Sequence, residues 1–160
     1  MKKDNIFIFD LDGTTIDSGH RVGGGSLPSW FNNNTAENIF KDTPMYLGQF
    51  IGILFNLGFK VLVCTSRTLG KADYEFLYTK LYLPVGVKII SRDKGDNREP
   101  NVYKKERLSY LANFKQFKEC EKILIDDNSD VRRSFRELGE NCKAWDIPYA
   151  VKSFNNIFGW

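Results

Sequence analysis

The chain has one histidine, three cysteines and no long apolar run in 160 residues, and each shortage excludes a class of protein. Cys64, Cys120 and Cys142 are odd in number and widely spaced, which rules out a small disulfide scaffold, and no Cys-x-x-Cys pair offers a zinc site. Reduced thiols in a cytoplasmic setting are the expectation. Lys2 and Lys3 precede only a short apolar run, Ile6 to Phe9, which Asp10 and Asp12 interrupt well short of a signal-peptide core or a membrane span. Charge of one sign is lacking too: 23 basic against 20 acidic side chains leave +3, too little for a disordered polyelectrolyte or a strongly basic nucleic-acid coat.

The apolar content suffices for one sizeable core: 42% of residues are apolar and 14% aromatic, in a chain of ordinary domain length. A single domain over 1–160 is expected. Four short apolar runs, Asn5 to Phe9, Lys60 to Cys64, Val87 to Ile90 and Lys122 to Ile125, and a weaker fifth, Cys142 to Trp145, are near-continuously apolar rather than alternating. Strands buried on both faces of a parallel sheet read this way. Helices are expected between them: from Pro44, with Thr43 as N-cap, through Leu57; Lys71 to Leu81; Val102 to Phe114; and Ser129 to Leu138. The fold class is α/β, an open three-layer Rossmann-like parallel sheet of about five strands with helices on both faces. Gly13 to Asp42 departs from that scheme and reads as a flap or lid, and Val151 to Trp160 as a terminal segment that packs its aromatics against an unspecified surface.

In such sheets ligands bind beyond the carboxyl ends of the strands. The residues just past the apolar runs form a chemically coherent set: Asp10-Leu11-Asp12-Gly13-Thr14, Thr65-Ser66-Arg67, and Asp126-Asp127, with Lys104-Lys105 on the helix entering the fourth strand. Four carboxylates at one sheet edge repel one another unless a cation neutralises them, and oxygen-only donors favour Mg²⁺ over zinc. Lys104, Leu108 and Leu111 fall at i, i+4 and i+7, so Lys104 points with the core face and Lys105 with the solvated side. Strand alternation sends Asp126 and Asp127 in opposite directions unless the chain turns at once, so at most one is an easy metal ligand. Asn128 or Ser129 caps the next helix.

FDLDGTT, VLVCTSR, the lysine helix and ILIDDNSD together resemble the four ordered motifs of the haloacid dehalogenase (HAD) superfamily of phosphohydrolases, over Asn5 to Trp145. The resemblance implies a Mg²⁺-dependent phosphatase in which Asp10 is the nucleophile that becomes an aspartyl-phosphate and Asp12 is the general acid and base. It implies further that Thr65 and the Ser66 backbone N–H hold the phosphoryl group and that Lys104 neutralises Asp10 and the phosphate. The metal would sit on Asp10, the Asp12 carbonyl and Asp127, with Asp126 orienting the site or bonding Lys104. Arg67 is expected on the substrate, because some nucleic-acid phosphatases of the superfamily carry an arginine at this step and its fork suits phosphate oxygens.

The intervals from Asp10 to Thr65 and from Thr65 to Lys104, 55 and 39 positions, leave little room for a cap domain, and an open site suits a macromolecular end. From Phe76 through Ala144 the order of features also resembles the 3′-phosphatase domain of bacteriophage polynucleotide kinase/phosphatases, without the Walker-type loop that a kinase needs. The first expectation is therefore removal of a 3′-phosphate from a DNA or RNA end. Ser91 to Arg107, with six basic and four acidic side chains, is a candidate for backbone contact, and Trp30 or Phe31 for base stacking. Two alternatives stand beside it: a 5′(3′)-nucleotidase on nucleoside monophosphates and, more distantly, a non-enzymatic phospho-acceptor domain, against which the order of motifs argues.

Overall fold

The structure, a computed structural model, describes residues 1–21 and 34–160. Five parallel strands form the central sheet: β1 (Ile6–Phe9), β4 (Lys60–Cys64), β5 (Lys88–Ile90), β6 (Lys122–Ile125) and β7 (Cys142–Trp145), in the order β5-β4-β1-β6-β7. A short antiparallel pair, β2 (Ile16–Asp17) with β3 (Thr43–Pro44), stands apart from it. The helices are α1 (Ala36–Ile39), α2 (Gly48–Asn56), α3 (Lys71–Thr79), α4 (Pro100–Leu108), α5 (Tyr110–Asn113), α6 (Lys115–Lys118), α7 (Ser129–Arg136) and α8 (Ile147–Phe158).

Central strand β1 explains the run without alternation, because both faces are covered. Phe7 and Phe9 enter one core with Phe50, Leu54, Val63, Phe76 and Phe154, while Ile6 and Ile8 enter the other with Leu108, Leu124, Val131 and Phe135. The terminal segment finds its place here. Asp146 caps α8 by accepting the Tyr149 N–H at 2.9 Å, and Phe154 stacks on Phe50 at 4.7 Å, with Phe158 and Trp160 also against Phe50.

Two helix expectations need correction. The helix expected from Pro44 begins four residues later, because Thr43 and Pro44 pair with Asp17 and Ile16 instead. Proline is acceptable at that edge, where it has no ladder N–H to give. The single helix expected over Val102 to Phe114 is two pieces, α4 and α5, divided at Ser109, whose hydroxyl bonds the Glu106 carbonyl at 2.7 Å, and a further short helix, α6, follows Phe114. Of the expected flap, residues 22–33, with Trp30 and Phe31, lie outside the described residues. Its two stems, Gly13 to Arg21 and Asn34 to Asp42, are described and reach the site.

Candidate active site

Asp10 leaves the end of β1 and is 5% exposed. Lys104, on the inward face of α4, bridges it to the end of β6: the ammonium donates to Asp10 Oδ1 at 2.7 Å and to Asp126 Oδ2 at 2.6 Å. Lys105 turns to Glu137 on the surface. Thr14 donates to Asp10 Oδ2 at 2.9 Å and accepts the Asp127 N–H at 3.1 Å, so one hydroxyl ties the first loop to the last. Gly13 has φ +77°, and a Cβ there would collide with the Asp127 carboxylate, so the turn after Asp12 demands glycine on both counts.

Asp10, Asp126 and Asp127 each offer a carboxylate oxygen, all within 4.8 Å of one another. This differs from the expectation that strand alternation leaves only one of the last pair in reach. The chain turns at once beyond Ile125, where the Asn128 N–H bonds Asp126 Oδ1 at 2.9 Å before Asn128 caps α7, and both carboxylates face Asp10. Burial, and then the charge of Asp126, push Asp10 well above the ordinary carboxylate range. The same two causes raise Asp127, and Lys104 is raised in turn because Asp10 and Asp126 outweigh its desolvation. An all-oxygen cluster with one lysine for three carboxylates fits a hard divalent cation. Cys64 lies behind it, its thiol pushed by burial up to about 12, an inert neighbour; all three cysteines are free and buried.

Thr65 comes directly after β4, fully buried, and its hydroxyl accepts the Arg67 N–H at 3.0 Å, which leaves its own proton to donate. Ser66 Oγ is buried without a hydrogen-bond partner, and its carbonyl accepts Arg92 Nε at 2.7 Å. Arg67 differs from expectation. Its fork is turned onto carboxylates rather than toward an open phosphate position: Nε and Nη2 reach Asp12, Nη1 donates to Asp73 at 2.8 Å, and Nη2 lies 3.3 Å from Asp42. Three acids packed around one buried guanidinium leave it little freedom to meet a substrate.

This network contains the residues that sequence reading missed. Asp42, at the foot of the second flap stem, accepts from Arg67, from Arg21 (2.9 and 2.7 Å) and from His20 (2.8 Å), and Ser18 donates to Asp12 at 2.7 Å. Arg21, Asp42 and Asp73 are all buried. Burial alone would raise Asp12, but the charge and hydrogen bonds of Arg67, with Ser18, outweigh it and hold that carboxyl below its usual range. The faint signal in the sequence was a pair of charged residues, Arg21 and Asp42, at the two ends of a segment poor in apolar positions.

A parallel five-stranded α/β sheet with aspartates and a lysine at its carboxyl edge is a fold that known hydrolase structures share. A hydrolase from Streptococcus pneumoniae TIGR4 superposes with a TM-score of 0.61 at 12% identity, covering 99% of this chain and 100% of its own. A haloacid dehalogenase-like family protein from the same species gives 0.60 at 13% (87% and 83% covered), and a chain of the Pnkp1/Rnl/Hen1 RNA repair complex 0.60 at 21% (90% and 42%). Residues 1–147 match the family described as bacteriophage T5 5′-deoxynucleotidase, and the chain belongs to that family. No curated protein matches it by sequence. Among the described residues no helix is long and apolar enough to cross a membrane.

Proposed function

We propose that the protein is a Mg²⁺-dependent 5′-nucleotidase that removes phosphate from free deoxynucleoside monophosphates through an aspartyl-phosphate on Asp10. The observation that carries the chemistry is the Lys104 bridge between Asp10 and Asp126, with Asp127 beside them. The substrate class rests on the family match, which moves the free nucleotide ahead of the nucleic-acid end expected from sequence.

Lys104 and Thr14 hold the two oxygens of the Asp10 carboxylate and so fix the direction of its attack. An Asp10 oxygen bonds to phosphorus as the P–O5′ bond breaks, and Asp12 gives its proton to O5′. Water then attacks phosphorus, Asp12 takes its proton, and Asp10 is released. Arg67 keeps Asp12 ionised in the free protein, the form needed to take that proton. The approach of a phosphate dianion favours protonation of Asp12 and so prepares it for the first half of the cycle. In this reading Thr65 Oγ, whose proton is left free by the bond it accepts from the Arg67 N–H, and the Ser66 N–H donate to the phosphoryl oxygens. Mg²⁺ held by Asp10, Asp126, Asp127 and the Asp12 carbonyl would neutralise the charge of the transferring group.

The polynucleotide 3′-phosphatase remains the second reading, supported by the ordered features from Phe76 to Ala144. One assay separates the two: Mg²⁺-dependent phosphate release from deoxynucleoside 5′-monophosphates, a 3′-phosphorylated oligonucleotide and a 5′-phosphorylated one, wild type beside Asp10→Asn. Higher kcat/KM on free nucleotides supports the proposal, and preference for the 3′-end reverses it. A phospho-form that persists without turnover would return the acceptor-domain alternative.

A further inference from the structure

Strand β7 is a sheet edge, and a groove runs along it between α7 and the start of α8. Two guanidiniums from α7 stand in it. Arg132 Nη1 donates to the Asp126 carbonyl at 2.9 Å and Arg136 Nη2 to the Ala144 carbonyl at 2.8 Å. Each spends one N–H on a neutral oxygen and makes no ion pair among the described residues, unlike Arg133, which pairs with Asp130, and Arg67, which faces three acids. They are fixed in position with charge and donors left over. Tyr149 closes the other wall, 56% exposed, with its ring set edge-on to Trp145 at 5.4 Å. Asp146 is engaged as the α8 cap and Lys143 pairs with Glu121 at 2.9 Å, so the two guanidiniums are the cations of the lining that make no ion pair among the described residues, and Glu140 stands at its border.

The Arg132 bond to the Asp126 carbonyl ties one side of the groove to the end of β6. The end of β7 lies two strand spacings, about 10 Å, from the end of β1. Arginines at i and i+4, about 6 Å apart on one helix face, together with an exposed aromatic ring, offer what a single strand presents in repetition: phosphates and a stackable base. A lone phosphate would use only the first of these features.

We propose that this edge groove binds single-stranded nucleic acid, with Arg132 and Arg136 on consecutive phosphates and Tyr149 under a base. It would hold the protein on a polymer whose breakdown yields nucleotides, whichever phosphomonoester the candidate site takes.

The test is fluorescence anisotropy of a fluorescein-labelled thymidine dodecamer with the full chain, without Mg²⁺, so that binding is read apart from catalysis. Two phosphate contacts predict a log–log salt slope of about −1.4. Tyr149→Ala is expected to weaken binding about tenfold, and Arg136→Gln, which keeps a donor for the Ala144 carbonyl, to reduce the slope by about 0.7. Circular dichroism melting checks that both variants fold, and neither should change kcat on a deoxynucleoside monophosphate. No binding by wild type at low salt, equal binding by both variants, or equally tight binding of polyglutamate would each overturn the proposal.

Discussion

Two acidic clusters sit side by side at the same sheet edge and are neutralised in opposite ways. At the ends of β1 and β6, one lysine faces Asp10, Asp126 and Asp127, and the carboxyl groups of Asp10 and Asp127 are pushed up. At the flap stems, two arginines face Asp12, Asp42 and Asp73, and Asp12 is pushed down. The first cluster is left short of positive charge, which a bound divalent cation would supply. The second is nearly complete in itself and acts as a brace. Asp10 and Asp12, only two residues apart, belong to different electrostatic regimes, and that separation suits a nucleophile and a proton carrier.

The largest effect expected from breaking the first cluster is on rate. Asp10→Asn replaces the proposed nucleophilic carboxylate with a neutral amide and should lower phosphate release by more than about 10³-fold. Stability should move the other way. A carboxyl whose folded pKa is raised makes the fold less stable as pH climbs from the unfolded to the folded value, so the metal-free Asn variant should melt no lower than wild type near neutrality. A variant that keeps its activity, or that melts well below wild type, would place Asp10 outside the first cluster.

Next in size is Lys104→Met, which leaves two buried carboxylates without their counter-charge. Loss of one partner from a buried pair costs about 3–5 kcal/mol, to be read by urea unfolding without metal. Divalent cation should restore part of the loss, because it meets the same shortage. Asp42→Asn tests the second cluster: it loosens Arg67 and through it Asp12, with an expected loss in kcat of up to about 10²-fold and little change in KM. Equal losses in kcat for Asp42→Asn and for a surface change such as Glu37→Gln would show that the brace does not act on Asp12.

The contrast also marks how far the sequence was legible. The first cluster could be read because each carboxylate comes just after a β-branched or aromatic run, so one rule about strand ends collects them, and helical spacing separates Lys104 from Lys105. The second could not. Asp42 lies 21 residues from Arg21 and 25 from Arg67, and these residues meet because the β2–β3 pairing folds the stems back. That pairing was hidden by Thr43-Pro44, which looks like a helix start. Arg67 was expected on substrate phosphate, and the direction of its fork was not legible, because that depends on acids from three separate segments.

The smallest effect sharpens the comparison through pH. A cation binds carboxylates only after their protons leave, so affinity rises with pH wherever the ligands are partly protonated, by up to about tenfold per pH unit for each proton displaced. Asp10 and Asp127 lie above the ordinary carboxylate range, so Mg²⁺ affinity measured by calorimetry should climb with pH beyond about pH 4, the usual aspartate value, and then level off. Asp12 is held below that range and stays ionised throughout, so Asp12→Asn should leave the climb in place while Asp127→Asn makes it shallower. An affinity flat with pH in wild type, or a slope that depends on Asp12 and not on Asp127, would mean that the two clusters share their protons and that the boundary between them is not electrostatic.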